Sequence, residues 1–161
     1  MADYIRKIVM LGDTAVGKTS LVRKYVDNMF EDKYLSTIGA KPVNKKLRFG
    51  NDSIVLMIWD LAGQSFALHP AYYSGAKGAL MVCDITRKDT ADSLKGWKSM
   101  LVSKTGEVPI IVLANKSDLP NHKFGLDHLE AIGFEAMSTS AKTGDNVEKA
   151  FTTLAERIIH D

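Results

Sequence analysis

The sequence holds a single cysteine, Cys83, in 161 residues. No disulfide can form within the chain, and a reducing compartment fits that usage. Cys83 stands inside the apolar run 79–83 and reads as a small core residue. The N-terminus lacks the apolar stretch of a secretory signal, and no apolar run approaches the roughly 18 residues of a membrane span. Neither charge sign dominates: 21 Lys and Arg face 19 Asp and Glu, for a net charge of +2. The pairs Arg6-Lys7 and Lys45-Lys46 are too small to track a nucleic-acid backbone, so they read as solvated surface. There is no internal repeat and no low-complexity tract. Residues 158–161, Ile-Ile-His-Asp, offer no cysteine for prenylation. Membrane contact would therefore need a lipidated tail beyond residue 161. What remains is ordinary: 45% hydrophobic and 25% charged residues, enough for one domain over 1–161 with a proper core.

Against this plain background one stretch stands out. Residues 12–19 read Gly-Asp-Thr-Ala-Val-Gly-Lys-Thr, an unsubstituted G-x-x-x-x-G-K-[ST] pattern. It follows the apolar run 8–11 and precedes a segment, 20–28, that reads as a helix. That strand–loop–helix setting is the one a phosphate-binding loop needs. Gly12 and Gly17 let the backbone curl its N–H groups around a polyphosphate. The backbone of Asp13, Thr14, Ala15, Val16 and Gly17 supplies those groups, and Thr14 and Ala15 lay small side chains over the phosphates. Lys18 places a point charge near the β- and γ-phosphates, and Thr19 offers a hydroxyl to Mg²⁺. The helix beginning at Thr19 and Ser20 turns its positive end to the anion. Alone, this motif says nucleoside triphosphate without naming the base.

Apolar runs place strands at 4–11, 41–49, 53–61, 78–84, 108–114 and 134–137, with a turn at 50–52 making the second and third a hairpin. Helices are expected at 20–28, 89–104, 129–132 and 147–158, with Asp89 or Thr90 capping the second. Alternation of strand and helix predicts a three-layer α/β/α fold. Its doubly wound sheet has six strands, mostly parallel with one antiparallel member, and about five helices cover its faces. The polar stretches 30–40 and 62–73 read as loops beside the nucleotide.

Three further motifs follow in order. Asp60 ends an apolar strand about 40 residues after the loop, where a carboxylate sits beside Mg²⁺, usually through water. Gly63 permits close approach of its N–H to the γ-phosphate, and Gln64 can orient an attacking water. Asn115-Lys116-Ser117-Asp118 follows the fifth strand. The Asp118 carboxylate can accept from guanine N1–H and the 2-amino group; adenine would leave that charge unpaired. Lys116 can lay its stem along the base, and Asn115 can tie this loop to the first. In Ser140-Ala141-Lys142 the Ala141 N–H can reach guanine O6.

These four ordered motifs resemble those of small GTPases of the Ras superfamily, and most closely its Rab branch, over about 4–159. The Rab flavour lies in Thr37-Ile38-Gly39, Trp59-Asp60, Tyr72 to Ala76 and Val82 to Thr86. The resemblance implies that Thr37 contacts Mg²⁺ and the γ-phosphate, that Phe30 packs against guanine, and that Tyr34 closes over the phosphates. It implies a GTP/GDP switch with Mg²⁺ held by Thr19, Thr37 and Asp60, and with Lys18, Thr37 and Gln64 as the catalytic set. Effectors, exchange factors and GTPase-activating proteins would dock through 30–42 and 60–76. The protein would be a monomer in the cytoplasm or at a membrane's cytoplasmic face, with no nucleic-acid partner.

Departures from the family pattern fall in those docking stretches. Leu61 stands where threonine is usual, Ser65 where glutamate is usual, and both 40–42 and 67–70 are altered. The segment 118–140 is a few residues short, which implies a trimmed fourth helix. No arginine occurs in 31–39, so none is supplied in cis from there, and Arg23 and Arg87 read as surface residues. Intrinsic turnover is expected on the order of 10⁻⁴ to 10⁻³ per second. Two rival readings stay open: a GTP-holding scaffold that barely cleaves, and an ATP-using P-loop enzyme.

Overall fold

A computed structural model describes residues 3–28, 40–61 and 70–161. Its elements run β1 (Asp3–Leu11), α1 (Lys18–Asp27), β2 (Ala40–Phe49), β3 (Asp52–Leu61) and a 3₁₀ turn at Pro70–Tyr72. They continue with β4 (Ala76–Asp84), α2 (Lys88–Asp92), α3 (Leu94–Thr105), β5 (Ile110–Asn115), α4 (Leu126–Ala131), β6 (Ala136–Ser138) and α5 (Val147–Ile158). The six strands form one sheet in the order β2-β3-β1-β4-β5-β6. Only β2 runs antiparallel to its neighbour, with Phe49 opposite Asp52 across the hairpin turn. The expected α/β/α architecture is what the chain adopts.

Alternation along the strands builds two cores. On one face, Ile8, Met10, Ile58, Leu80, Val82 and Leu113 meet α1 and α5 through Leu21, Phe151 and Leu154. On the other, Val9, Leu11, Met81, Cys83 and Val112 meet α2 and α3 through Ala91, Leu94, Trp97 and Leu101. Neighbours such as Leu80 and Met81 thus serve opposite layers, as a strand's two-residue period dictates. Each fully buried large apolar side chain contributes about 1.5–3 kcal/mol. Between α1 and α5, the Tyr25 and Phe151 rings stack with centroids 4.1 Å apart.

Two expectations need correction. The helix foreseen at 89–104 starts at Lys88 with Arg87 at the cap position, and it is interrupted at Ser93. There the Ser93 hydroxyl donates to the Asp89 carbonyl at 3.1 Å, a local bond that competes with regular helix pairing. The interruption is slight, because Ser93 N–H still reaches Asp89 O and Trp97 N–H reaches Ser93 O, each at 3.1 Å. Thr90 lies inside the first turn. The fourth helix begins earlier than foreseen, at Leu126 directly after an extended Gly125, and remains short at 6 residues.

The parallel sheet sends the ends of β1, β4, β5 and β6 to one edge, together with Leu61 of β3. Every motif of the sequence lies at or just after one of those ends. The chain leaves β1 for α1 on one face of the sheet and leaves the neighbouring β4 for α2 and α3 on the other, which makes that edge the place where an α/β fold holds a ligand.

Candidate functional site

Residues 12–17 form a loop that only two glycines allow. Gly12 sits at φ 142° and Gly17 at φ 106°. A Cβ on Gly12 would lie 2.3 Å from the Val82 carbonyl oxygen, and one on Gly17 would lie 2.3 Å from the Asn115 amide nitrogen. Ala15 takes a left-handed φ of 65° despite its Cβ.

Each carbonyl of the loop has a donor. The buried Lys18 ammonium donates to Gly12 O and Asp13 O, both at 2.8 Å. Arg87 Nη2 donates to Thr14 O at 2.9 Å, and Lys116 Nζ to Ala15 O at 2.8 Å. Asn115 Nδ2 donates to Val16 O at 2.9 Å, and Leu21 N–H to Gly17 O at 2.9 Å. Because a peptide unit is planar and trans, fixing a carbonyl also fixes the N–H of the next residue. Among the described residues, no acceptor meets the N–H groups of residues 14–17. A row of oriented N–H donors beside a buried ammonium is an anion cradle. Burial pushes the Lys18 ammonium down to about 8, against the raising pull of Asp60 and Asp13, with Arg87 adding to the lowering. A bound anion would relieve that strain.

At the start of α1, Thr19 Oγ1 donates to Asp60 Oδ2 at 2.6 Å. Helix start and β3 end therefore converge, and Asp60 is 5% exposed. Among the described residues there is no group of three or more His, Cys, Asp or Glu suited to a metal. One carboxylate and one hydroxyl fit Mg²⁺ well, since that ion takes few protein ligands and completes its shell with phosphate and water. Ser20 follows in the first turn of α1.

The opposite end of the site is tied together by side chains. Asn115 Oδ1 accepts from Thr139 Oγ1 at 3.1 Å, while its amide holds the 12–17 loop. Asp118 Oδ1 accepts from Ser140 Oγ at 2.8 Å, and Ser140 Oγ accepts from Thr143 N–H. Ala141 is buried, and its N–H has no acceptor among the described residues. Lys142 is exposed. The segments 115–118 and 139–142 thus present a carboxylate and an unused N–H close together.

Of the residues expected from sequence, 13–20, Asp60, Asn115, Lys116, Asp118, Ser140, Ala141 and Lys142 all lie along this one edge. Phe30, Tyr34, Thr37, Gly63 and Gln64 lie outside the described residues. Four residues were missed. Asp84, at the end of β4 and 2% exposed, accepts from Lys116 Nζ at 2.9 Å and from Arg87 Nε at 3.3 Å. Arg87, read from sequence as a surface residue, keeps its side chain 39% exposed and is also bonded to the loop. Trp97 Nε1 donates to Asp13 Oδ1 at 2.9 Å, and Thr139 orients Asn115. Asp84 carried the same signal that revealed Asp60: an acidic residue directly after an apolar run, 79–83 for Asp84 and 54–59 for Asp60. Burial alone would raise the Asp84 carboxyl, but hydrogen bonds from Thr86 and Lys116 outweigh it and hold its pKa below the ordinary value.

Comparison with known proteins agrees with this geometry. The model of the Ras family matches residues 7–160. The chain belongs to the Ras family. Within it, the relatives point to the Rab branch. Ras-related protein Rab-21 of Homo sapiens is 38% identical over 164 residues, covering 97% of this chain and 73% of the relative. Rab-21 of Geodia cydonium is 40% identical over 161 residues, with 95% and 70% covered. RABA2d of Arabidopsis thaliana is 38% identical over 167 residues, with 98% and 76% covered. This small GTPase of the Rab type therefore carries its 12–19, 59–60, 115–118 and 140–142 motifs on an α/β fold consistent with that family. Among its described residues no helix is long and apolar enough to cross a membrane.

Proposed function

We propose that this Rab-type chain binds GTP and GDP with Mg²⁺ and hydrolyses GTP slowly, as a switch. The observation that supports this reading most is the phosphate loop whose carbonyls, from Gly12 to Val16, are all held by side chains reaching in from α1, β5 and the segments that follow β4 and β5. The N–H groups of 14–17 and the Lys18 ammonium would carry the charge of the β- and γ-phosphates, most strongly as charge develops in the transition state. Thr19, Thr37 and Asp60 would hold Mg²⁺. When bound, that ion neutralises charge on the β- and γ-oxygens. Asp118 would select guanine by accepting from N1–H and the 2-amino group, with Ser140 fixing its carboxylate and Ala141 N–H serving O6. Gln64 would orient the attacking water, Gly63 would bring its N–H to the γ-phosphate, and Phe30 and Tyr34 would pack against base and phosphates.

Loss of the γ-phosphate would release Thr37 and Gly63 together, giving partners two surfaces to distinguish. Effectors, exchange factors and activating proteins are proposed to read 30–42 and 60–76 on a single-domain monomer, in the cytoplasm or at the cytoplasmic face of a membrane. A second reading, a GTP-holding scaffold with little hydrolysis, draws on Ser65 in place of the usual glutamate after Gln64. Ion-pair chromatography of nucleotide released from the purified protein tests the base assignment. Guanine nucleotide is expected at near one per chain; adenine nucleotide would overturn the role given to Asp118.

A further inference from the structure

Arg87 touches the phosphate loop from behind. It sits at the cap of α2 in extended conformation, φ −133° and ψ 104°. Its backbone is fixed on both sides: its N–H donates to Asp84 O at 2.9 Å, and its carbonyl accepts from Thr90 Oγ1 at 2.7 Å. From that anchored position Nη2 reaches Thr14 O at 2.9 Å and Nε reaches Asp84 Oδ2 at 3.3 Å. The same carboxylate oxygen takes Lys116 Nζ at 2.9 Å, and Lys116 donates to the next loop carbonyl, Ala15 O, at 2.8 Å. One buried oxygen therefore braces two cations that grip successive peptide units. These are the units on either side of Ala15, the loop residue forced into left-handed backbone at φ 65°. A non-glycine residue keeps such a conformation only where its surroundings impose it.

The consequence follows from peptide geometry. The plane that carries Thr14 O also carries Ala15 N–H, so gripping the carbonyl aims the N–H. We propose that Arg87, braced by Asp84, is a positioning residue. It holds the Thr14–Ala15 peptide so that Ala15 N–H faces the bound phosphates, and thereby sets how slowly nucleotide leaves. This rests on the nucleotide-binding reading above. Arg87 itself acts through the loop and from its outer side. A plain surface ion pair would bond Asp84 alone and would leave the loop indifferent to its loss.

The test uses the full chain loaded with Mg²⁺ and a fluorescent N-methylanthraniloyl GDP, chased with excess GDP. Release from Arg87→Ala is expected to be about ten-fold faster than from the wild type, the scale of one charge-assisted hydrogen bond lost from the bound state. Arg87→Lys should fall between, because an ammonium can keep one of the two bonds. Arg157→Ala, which breaks only the exposed pair with Glu135, should match the wild type. Phosphorus NMR of bound GDP supplies the second readout: resonances should move in Arg87→Ala and stay in place in Arg157→Ala. Should Arg87→Ala fail to fold, Arg87→Gln is read in the same way. Release within two-fold of wild type, or faster release with superimposable phosphorus spectra, overturns the proposal. A wild-type protein that takes up no fluorescent GDP would sink the nucleotide reading itself.

Discussion

The Asp84 carboxylate lies 2.9 Å from the Lys116 ammonium: Asp84 ends β4, and Lys116 directly follows Asn115, the register partner of Asp84 at the end of β5. The pair joins the 115–118 segment to the 12–17 loop, because Lys116 also donates to Ala15 O. Removing the charge by Asp84→Asn leaves Lys116 and Arg87 without their shared anion. Both cations keep partial contact with water, so the expected loss is about 1–3 kcal/mol, below that of a wholly buried pair. The sign with pH is fixed. The folded pKa of Asp84 is lowered, so its contribution is complete above the ordinary 3.8 and fades as pH falls through the folded value. Urea unfolding of wild type and Asp84→Asn should therefore differ at neutral pH and converge in acid; a gap that widens in acid would contradict the assignment.

Gly12→Ala should be more damaging than its chemistry suggests. The new Cβ meets a backbone oxygen, Val82 O, at 2.3 Å in a left-handed conformation, so no side chain can yield. A loss of roughly 3 kcal/mol or more is expected in urea unfolding. A loss below about 1 kcal/mol would mean that the loop and β4 are not in this contact.

Asp118→Asn separates base recognition from folding. An asparagine carbonyl can still accept from Ser140 Oγ, so stability should hold. Guanine affinity should fall about a hundred-fold, and xanthosine triphosphate should gain, because its 2-oxo group matches the new amide donor. Competitive displacement with the two nucleotides measures both. Unchanged preference for GTP would remove Asp118 from the base contact.

Cys83 should be inert in the folded protein. It is fully buried, donates to Leu113 O at 3.6 Å, and burial pushes its thiol up to about 12 from an ordinary 9.0. Labelling by a disulfide reagent at pH 8 should track global unfolding in urea. The same raised pKa makes the neutral thiol a stabilising feature below pH 9 that is lost as pH climbs towards 12. Rapid native labelling would place Cys83 outside the core.

Much of this was legible in the chain because it is local. Apolar runs such as 79–83 and the loop between β1 and α1 announce themselves within ten residues, and a mostly parallel sheet follows from alternation of strand and helix. What stayed hidden depends on contacts far apart in sequence. Arg87 meets Thr14 across 73 positions, and Trp97 meets Asp13 across 84. An arginine three residues after a strand end carries no periodic mark of such a bond. The interruption at Ser93 was missed for another reason: the apolar period of 89–104 runs straight through it, and only a serine side chain competing with its own backbone betrays it.

Single-turnover hydrolysis tests the central claim most directly. The wild-type chain, preloaded with GTP and started with Mg²⁺, should release phosphate in one exponential phase on the order of 10⁻⁴ to 10⁻³ per second. Gln64→Leu should slow that phase while GTP affinity stays nearly unchanged. Release no faster than buffer over a day from the wild type would contradict the account and leave a protein that holds GTP without cleaving it.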